Sequence, residues 1–356
     1  MRVSLRATLL LVFMAATCAA AGSAFDAWTL RHRYLLPRNM PVPLFHYIGD
    51  PSHAATPKER EAAALLVTFL GNGDRAAARA AARLCDTISE HRVGMGWASV
   101  AWLCHYFALP AQQRVRYLAG SFEGSCLVAW FEHCGLRTLR RALILFYHLK
   151  RFPISTTYDP DEGFTECAHL IDLCTARPRW EHTRRLLGTL DLRAGQTVAD
   201  VGCGSGFDTY RLSRMVGPTG RVYAVETNVR HLAFVSFISR WAHLSNIELI
   251  SSTYSDVGLP AGCLDCALMC SLYHNVYGAN SAATRDFFMG SLWRALKPGG
   301  TLAIADNVVG MRVQSLTGQC IAPWVIIANV KSYGYRFVRF AQPCALRYVL
   351  VFRKPR

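Results

Sequence analysis

The spacing of apolar positions changes twice along the chain. Residues 7–21 form one apolar run, residues 57–151 repeat at helical spacing, and from about 166 onward short apolar runs alternate with helical stretches. The middle region opens on "TPKEREAAALLVTFL", where Thr56 stands as an N-cap, Pro57 takes the first helical position and acids fill the first turn. After Gly73, "DRAAARAAARLCDTISEH" continues at helical spacing, and further helices are predicted over 96–109, 111–119, 124–134 and 136–151. No strand-like alternation stands out between 57 and 151, so this region is expected to be all-helical. "PISTTYDPDEGF" (153–164), with its prolines, Gly163 and three acids, reads as a linker.

Beyond the linker the pattern predicts a helix over "RPRWEHTRRLLGTL", then strand 197–201, helix 207–216, strand 221–226, helix 229–243 and strand 247–250. Strand 264–270, helix 281–296, strand 301–306 and helix 321–332 follow. Strands alternating with helices imply right-handed crossovers and a parallel sheet. "YRFVRFAQ" and "LRYVLVFR", joined by "PCA", read as an antiparallel addition at about 335–342 and 346–352. The expected organisation is a leader over 1–24, a helical accessory or cap domain over 25–165, and an α/β domain over 166–356. Within the second of these, residues 25–57 are rich in proline and aromatics and read as an extended arm.

The first 24 residues place Arg2 and Arg6 before the apolar run and small residues, "AAAGSA", at its end. That is the layout of a secretory signal, which implies the secretory pathway or an extracytoplasmic space. No acid precedes Asp26, so a mitochondrial or other organelle transit peptide is the alternative. Cys18 lies in a poor lipobox, since Thr17 sits where a smaller residue is expected. Export would permit disulfides among the 12 cysteines left after Cys18. Cys203, Cys266 and Cys270 fall in predicted core elements, however, where a buried thiol is the simpler reading. Elsewhere no segment reaches the ~20 apolar residues that span a bilayer.

The formal charge of +15 is unevenly spread: +2 over 1–24, +4 over 25–165 and +9 over 166–356. Arginine outnumbers lysine 34 to 5 and is scattered rather than clustered. That favours a solvated basic surface over a nucleic-acid partner. The basic, aromatic helix 136–151 could contact a membrane surface or close over a substrate, but a plain interdomain face needs no special role and is the preferred reading.

The candidate chemistry sits in "VADVGCGSGFDT". Strand 197–201 carries Asp200 to the carboxyl edge of the sheet, where open α/β folds bind ligands. Gly202, Gly204 and Gly206 then allow a sharp turn and a close approach. The next strand ends in Glu226, 20 residues after Gly206, where a carboxylate can accept both hydroxyls of a ribose. Dinucleotide sites normally use G-x-G-x-x-G with pyrophosphate on the helix N-terminus. Here an acid stands two residues before the first glycine and the spacing is G-x-G-x-G. A carboxylate there repels pyrophosphate but suits an ammonium and a sulfonium, which favours S-adenosylmethionine over NAD. Cys263, Cys266 and Cys270 in "CLDCALMC" have no matching His or Cys pair at finger-like spacing, so no metal is expected.

With these motifs the stretch from about Arg177 to Lys354 resembles the class I S-adenosylmethionine-dependent methyltransferases, especially their ubiquinone/menaquinone-biosynthesis-like branch. "VADVGCGSGFDT", "GPTGRVYAVETN", "GCLDCALMCSLYHNV" and "LWRALKPGGTLAIAD" carry the likeness. It implies a Rossmann-like, seven-stranded, mostly parallel sheet with an antiparallel C-terminal strand. It also implies that Asp200, Gly202, Gly204 and Gly206 hold the methionine end and Glu226 the ribose, with Cys203, Thr227 and Ser271 also at the cofactor. Tyr254, Ser255 and Asp256 would lie near the adenine. Members of that branch usually lack so long a helical preface, which leaves the acceptor open.

Methyl transfer asks the protein chiefly for positioning and desolvation, with a base only where the nucleophile must lose a proton. Tyr273, His274 and Asn275, at the end of the fourth strand, are the candidates to orient the acceptor or take its proton. The expected function is methyl transfer to a small or lipophilic organic molecule. The rival is a non-catalytic scaffold or binding protein of the secretory pathway, since exported compartments are not expected to hold the cofactor.

Overall fold

The structure is a computed structural model that describes residues 55–88, 95–153, 160–278, 281–308 and 321–356. The predicted leader and nearly all of the arm lie outside the described residues. Those described belong to one compact unit, Val42–Arg356.

The helical region begins with α1 (Pro57–Asn72) and α2 (Arg75–Cys85). Thr56 caps α1 as its sequence predicts: its hydroxyl accepts from Glu59 N–H, and the Glu59 carboxylate reaches back to Thr56 N–H. Gly73, at φ 76°, ends α1, and Asp74 Oδ1 starts α2 by accepting from Ala76 N–H at 2.8 Å. Then come α3 (Met95–Ala108), α4 (Ala111–Ala119), α5 (Phe122–Cys134) and α6 (Leu136–Phe146). The apolar stripe of α6 (Leu139, Ala142, Leu143, Ile144) is buried against neighbouring helices.

The predicted linker departs from expectation. Its last residues open α7 (Pro160–Asp172), a helix that Gly163 does not break. The single helix predicted next is two short ones, α8 (Arg177–Trp180) and α9 (Thr183–Gly188), because His182 between them adopts φ 52°.

The remaining elements are β1 (Thr197–Val201), α10 (Thr209–Val216), β2 (Arg221–Glu226), α11 (Val229–Trp241), β3 (Ile247–Ser251) and β4 (Leu264–Cys270). They continue through α12 (Tyr273–Gly278), α13 (Ala282–Ala295), β5 (Leu296–Asn307), α14 (Pro323–Ser332), β6 (Arg336–Cys344) and β7 (Arg347–Arg353). The seven strands form one sheet in the order β3-β2-β1-β4-β5-β7-β6. Strands β1 to β5 are mutually parallel, and β7 runs antiparallel to both β5 and β6. The predicted closing pair is therefore present, with the later strand inserted inside the earlier one. Composition explains the order: the near-continuous apolar run "RYVLVF" is buried on both faces, whereas the alternating "RFVRFA" serves an edge.

The helical region and the sheet share an apolar core. Residues of α1 to α6 cluster with Phe207, Tyr210, Leu232, Phe234, Val235 and Ile238. Trp130 of α5 packs 4.9 Å from the Phe234 ring and 5.6 Å from Phe237 of α11. Glu123 on the same helix pairs with Arg211 of α10. These contacts bring the helices against the outer side of the two helices that follow β1 and β2.

Candidate active site

Strands β1 and β2 run side by side, so Asp200 and Glu226 arrive at the same rim of the sheet. Gly202 and Gly204, at φ 74° and 50°, bend the chain away from β1 in a conformation that side chains resist. Close packing adds a second demand. A Cβ on Gly202 would lie 2.7 Å from Leu272, and one on Gly204 would lie 2.7 Å from the carboxylate of Asp172.

Glu226 points into this turn. One oxygen accepts from Gly204 N–H at 2.9 Å, and the other accepts from Thr227 N–H at 2.7 Å, Asn228 N–H at 3.0 Å and the Thr227 hydroxyl at 3.1 Å. Burial alone would raise its carboxyl. His231, 4.0 Å away, and the N–H groups of Asn228 and Gly204 outweigh that effect and hold it at about 2. An ionised acceptor at the tip of β2 suits the hydroxyls of a ribose.

Asp200 is placed differently. It is buried beneath the turn, where Oδ2 accepts from the Thr209 hydroxyl at 2.6 Å. Burial, then the nearby Asp208, push its carboxyl up to about 7 from an ordinary 3.8. A carboxyl raised on folding contributes stability below its unfolded value and loses it as pH rises through its folded value. Asp200→Asn keeps an acceptor for Thr209. Its advantage over wild type in urea unfolding is therefore expected to grow between pH 5 and pH 8, by on the order of 2 kcal/mol. A constant or shrinking difference would contradict that assignment.

Under the turn lies a buried ionic cluster. Arg177 Nε donates to Glu181 at 3.1 Å, and a terminal nitrogen donates to Asp208 at 3.1 Å and to Cys270 Sγ at 3.3 Å. Its guanidinium stands 3.9 Å from the Phe207 ring centre. Arg347 Nε joins Glu181 at 3.2 Å. This cluster fixes the start of α10, and through it the base of the glycine turn.

A stripe of α7 meets the same turn. Thr165, His169 and Asp172, spaced by four and then three residues, lie on one helix face. Asn228 Nδ2 donates to the Thr165 hydroxyl at 3.2 Å. Ser205 donates its hydroxyl to Asp172 at 3.0 Å and its N–H at 3.2 Å, and Nδ1 of His169 stands 2.7 Å from the same hydroxyl. With the Ser205 proton directed to Asp172, His169 is the donor at Nδ1. Burial, reinforced by His231, holds that imidazole well below its usual range. Sequence reading missed Thr165 and Asp172, because it placed their helix partly in a linker, and took His169, in "CAHLIDLC", for a packing residue. The signal was there in the helical spacing of Thr165, His169 and Asp172. Cys167 and Cys174, considered for disulfide pairing, are buried free thiols, as are Cys203 and Cys266.

The turn after β4 closes the site from the other side. Ser271 adopts φ 54°, unusual for a non-glycine residue, and its N–H donates to Ala305 O at 2.8 Å. Its hydroxyl is buried with no hydrogen-bond partner. The Tyr273 hydroxyl is bound to Asn329 of α14. Nδ1 of His274 lies 2.9 Å from Asp306 Oδ1, and His274 N–H donates to Asp306 Oδ2 at 3.1 Å. Nε2 of His274 is buried and without a partner. Asn275 occupies the first turn of α12, half-buried. Asp306, at the carboxyl end of β5, was not singled out from sequence, although "AIAD" repeats the apolar-strand-then-acid pattern of "TVAD".

The structure thus gathers Gly202, Cys203, Gly204, Glu226 and Thr227 at one rim, with Ser271 to His274 beside them. The adenine candidates lie in the turn after β3, whose Ser251 pairs with Glu226 and whose Ser252 N–H donates to Glu226 O at 3.0 Å. Ser255 and Asp256 donate their N–H groups to the Thr253 hydroxyl at 3.3 and 3.0 Å, and Tyr254 is 70% exposed.

Residues 192–328 match a family model described as a methyltransferase domain. The ubiquinone/menaquinone biosynthesis C-methyltransferase UbiE of Escherichia coli O1:K1 is 28% identical over 116 residues, 32% of this chain and 44% of that protein. The corresponding protein of Enterobacter sp. strain 638 is 29% identical over the same length and shares. The chain therefore spans less than half the length of the curated relatives it matches. Among solved structures, an S-adenosylmethionine-dependent methyltransferase from Aquifex aeolicus is similar, with a TM-score of 0.44 and 24% identity, covering 50% of this chain and 92% of that one. The seven-stranded order, the acid–glycine turn with its ionised partner on β2, and these sequence matches converge on one assignment. Residues 192–328 match a methyltransferase domain, and the stretch is similar in sequence to the UbiE C-methyltransferases.

Proposed function

We propose that the protein transfers a methyl group from S-adenosylmethionine to a small, lipophilic organic acceptor. The observation that carries this reading is Glu226: an ionised carboxylate at the tip of β2, directed at the glycine turn. In this reading Glu226 and Thr227 hold the ribose, and the Gly202–Gly204 turn with Ser271 lines the methionine portion. The buried, unpartnered Ser271 hydroxyl supports that placement, since a buried hydroxyl without a hydrogen bond is costly unless a ligand completes it. Tyr254, Ser255 and Asp256 remain proposed neighbours of the adenine. When bound, the cofactor supplies an activated methyl carbon; the protein orients the acceptor and excludes water. The relatives' printed role in quinone biosynthesis supports a lipophilic acceptor.

One observation favours a non-catalytic scaffold instead. The chain's own groups occupy the turn: Leu272 lies on Gly202, Asp172 lies on Gly204, and the N–H groups of Gly204 and Ser205 are already bonded. Incubation of the full chain with methyl-labelled S-adenosylmethionine and a panel of lipophilic phenols, hydroquinones and amines separates the two readings. Label in an extracted product supports transfer. A folded chain that takes up no cofactor and labels no product supports the scaffold.

A further inference from the structure

Two polar atoms where β4 passes into α12 are buried without partners: the Ser271 hydroxyl on the turn and Nε2 of His274 at the start of the helix. The turn joins β4 to α12, between the glycine turn, which Leu272 touches at Gly202, and the end of β5. Ser271 is also held at positive φ. Unusual backbone and unmet polar groups together mark places where a fold is kept for a ligand rather than for its own packing.

The two candidates for proton chemistry on this turn are not equivalent. The Tyr273 hydroxyl is committed to Asn329, and burial pushes it far up, so it is a poor base. His274 is held at two points by one carboxylate. Asp306 is fully buried; Oδ2 accepts the His274 main-chain N–H, while Oδ1 faces ring Nδ1 and also accepts from Asn307 N–H at 2.8 Å. A carboxylate at Nδ1 selects the tautomer with its proton on that nitrogen. The lone pair of the neutral ring is then on Nε2, the atom that has no partner.

We propose that Asp306 is a positioning residue that fixes His274 with Nε2 as proton acceptor, and that the methylated atom of the acceptor accordingly carries a dissociable proton. This rests on the methyltransferase reading above. In the step, the acceptor's X–H proton passes to Nε2 and leaves its bonding pair on X. That pair forms the new X–CH3 bond while the S–CH3 pair stays on sulfur, turning sulfonium into thioether. The ring gains one positive charge beside the Asp306 carboxylate, and the sulfonium charge is discharged. Acceptors that react through a free lone pair would not need the pair. General-base help of this kind is worth roughly 10²- to 10⁴-fold in turnover.

The test reads the ring directly. The full chain, labelled with 15N-histidine and saturated with S-adenosylhomocysteine, is titrated with phenol as a weakly acidic O–H probe. Two-bond proton–nitrogen spectra report which nitrogen of His274 is protonated, and His274→Gln assigns the signals. The expected result is a protonated Nδ1 and an Nε2 signal that moves as phenol is added. In Asp306→Asn the proton should shift toward Nε2 and the phenol response should vanish, with S-adenosylhomocysteine affinity unchanged within about twofold. A proton on Nε2 in the wild type, or an Asp306→Asn spectrum that responds to phenol as the wild type does, would overturn the proposal. If the folded wild type fails to bind S-adenosylhomocysteine at all, the methyltransferase reading falls, and this role with it.

Discussion

Replacing Arg177 by alanine is expected to destabilise the protein by about 3–5 kcal/mol, the range for removing one partner of a buried ion pair. The cation is 9% exposed and serves two buried carboxylates, Glu181 and Asp208. Glu181 would keep Arg347 and the Thr183 hydroxyl, at 3.2 and 2.9 Å. Asp208 would fare worse, because its other oxygen is already buried without a hydrogen bond. The stacking on Phe207 would be lost as well. Urea unfolding at neutral pH measures the effect. A double variant, Arg177→Met with Asp208→Asn, should recover part of the loss, since it removes the stranded charge together with its partner. A loss below about 1 kcal/mol in Arg177→Ala would show that water reaches the cluster and screens it.

The second large effect belongs to Glu226. Glu226→Ala is expected to weaken S-adenosylmethionine binding by about 2–3 kcal/mol, roughly 30- to 150-fold, because charge-assisted bonds to ribose hydroxyls disappear. The same change strands the N–H groups of Gly204, Thr227 and Asn228, so the turn itself should loosen. Glu226→Gln separates the two consequences, as it retains an acceptor oxygen without the charge. The pH dependence has a definite sign. The folded carboxyl at about 2 lies below its ordinary 4.5, so its contribution to stability is present above pH 4.5 and is lost as pH falls toward 2. Acid unfolding of Glu226→Gln should therefore be less steep than that of the wild type across that window. Equal steepness would mean that Glu226 is not held by these donors.

Much of this arrangement was legible in the chain because it is local. Thr56, Pro57 and Glu59 specify a helix start within four residues, and the structure forms that cap. Strand and helix spacing from β1 to β5 followed from period alone, and the paired acids of β1 and β2 followed from their position at strand ends. What sequence obscured was long-range. Whether β7 lies outside or inside β6 is decided by which strand can be buried on both faces, a comparison between two segments rather than a property of either. Asp172 and Thr165 acquire meaning only when α7 folds over a turn some 30 to 60 residues away. His274 could be picked out as a strand-end polar residue, but its orientation depends on Asp306, 32 residues later. Asp200 shows the converse. Its place in the motif was plain, while its burial under Thr209 could not be read from spacing.

Calorimetric titration of the full chain with S-adenosylmethionine bears most directly on the whole account. A rim made of a glycine turn, an ionised Glu226 and an unsatisfied Ser271 predicts saturable one-to-one binding, displaced by S-adenosylhomocysteine and weakened in Glu226→Ala. A folded protein that takes up no cofactor at about 1 mM, a binding free energy weaker than roughly 4 kcal/mol, would contradict it.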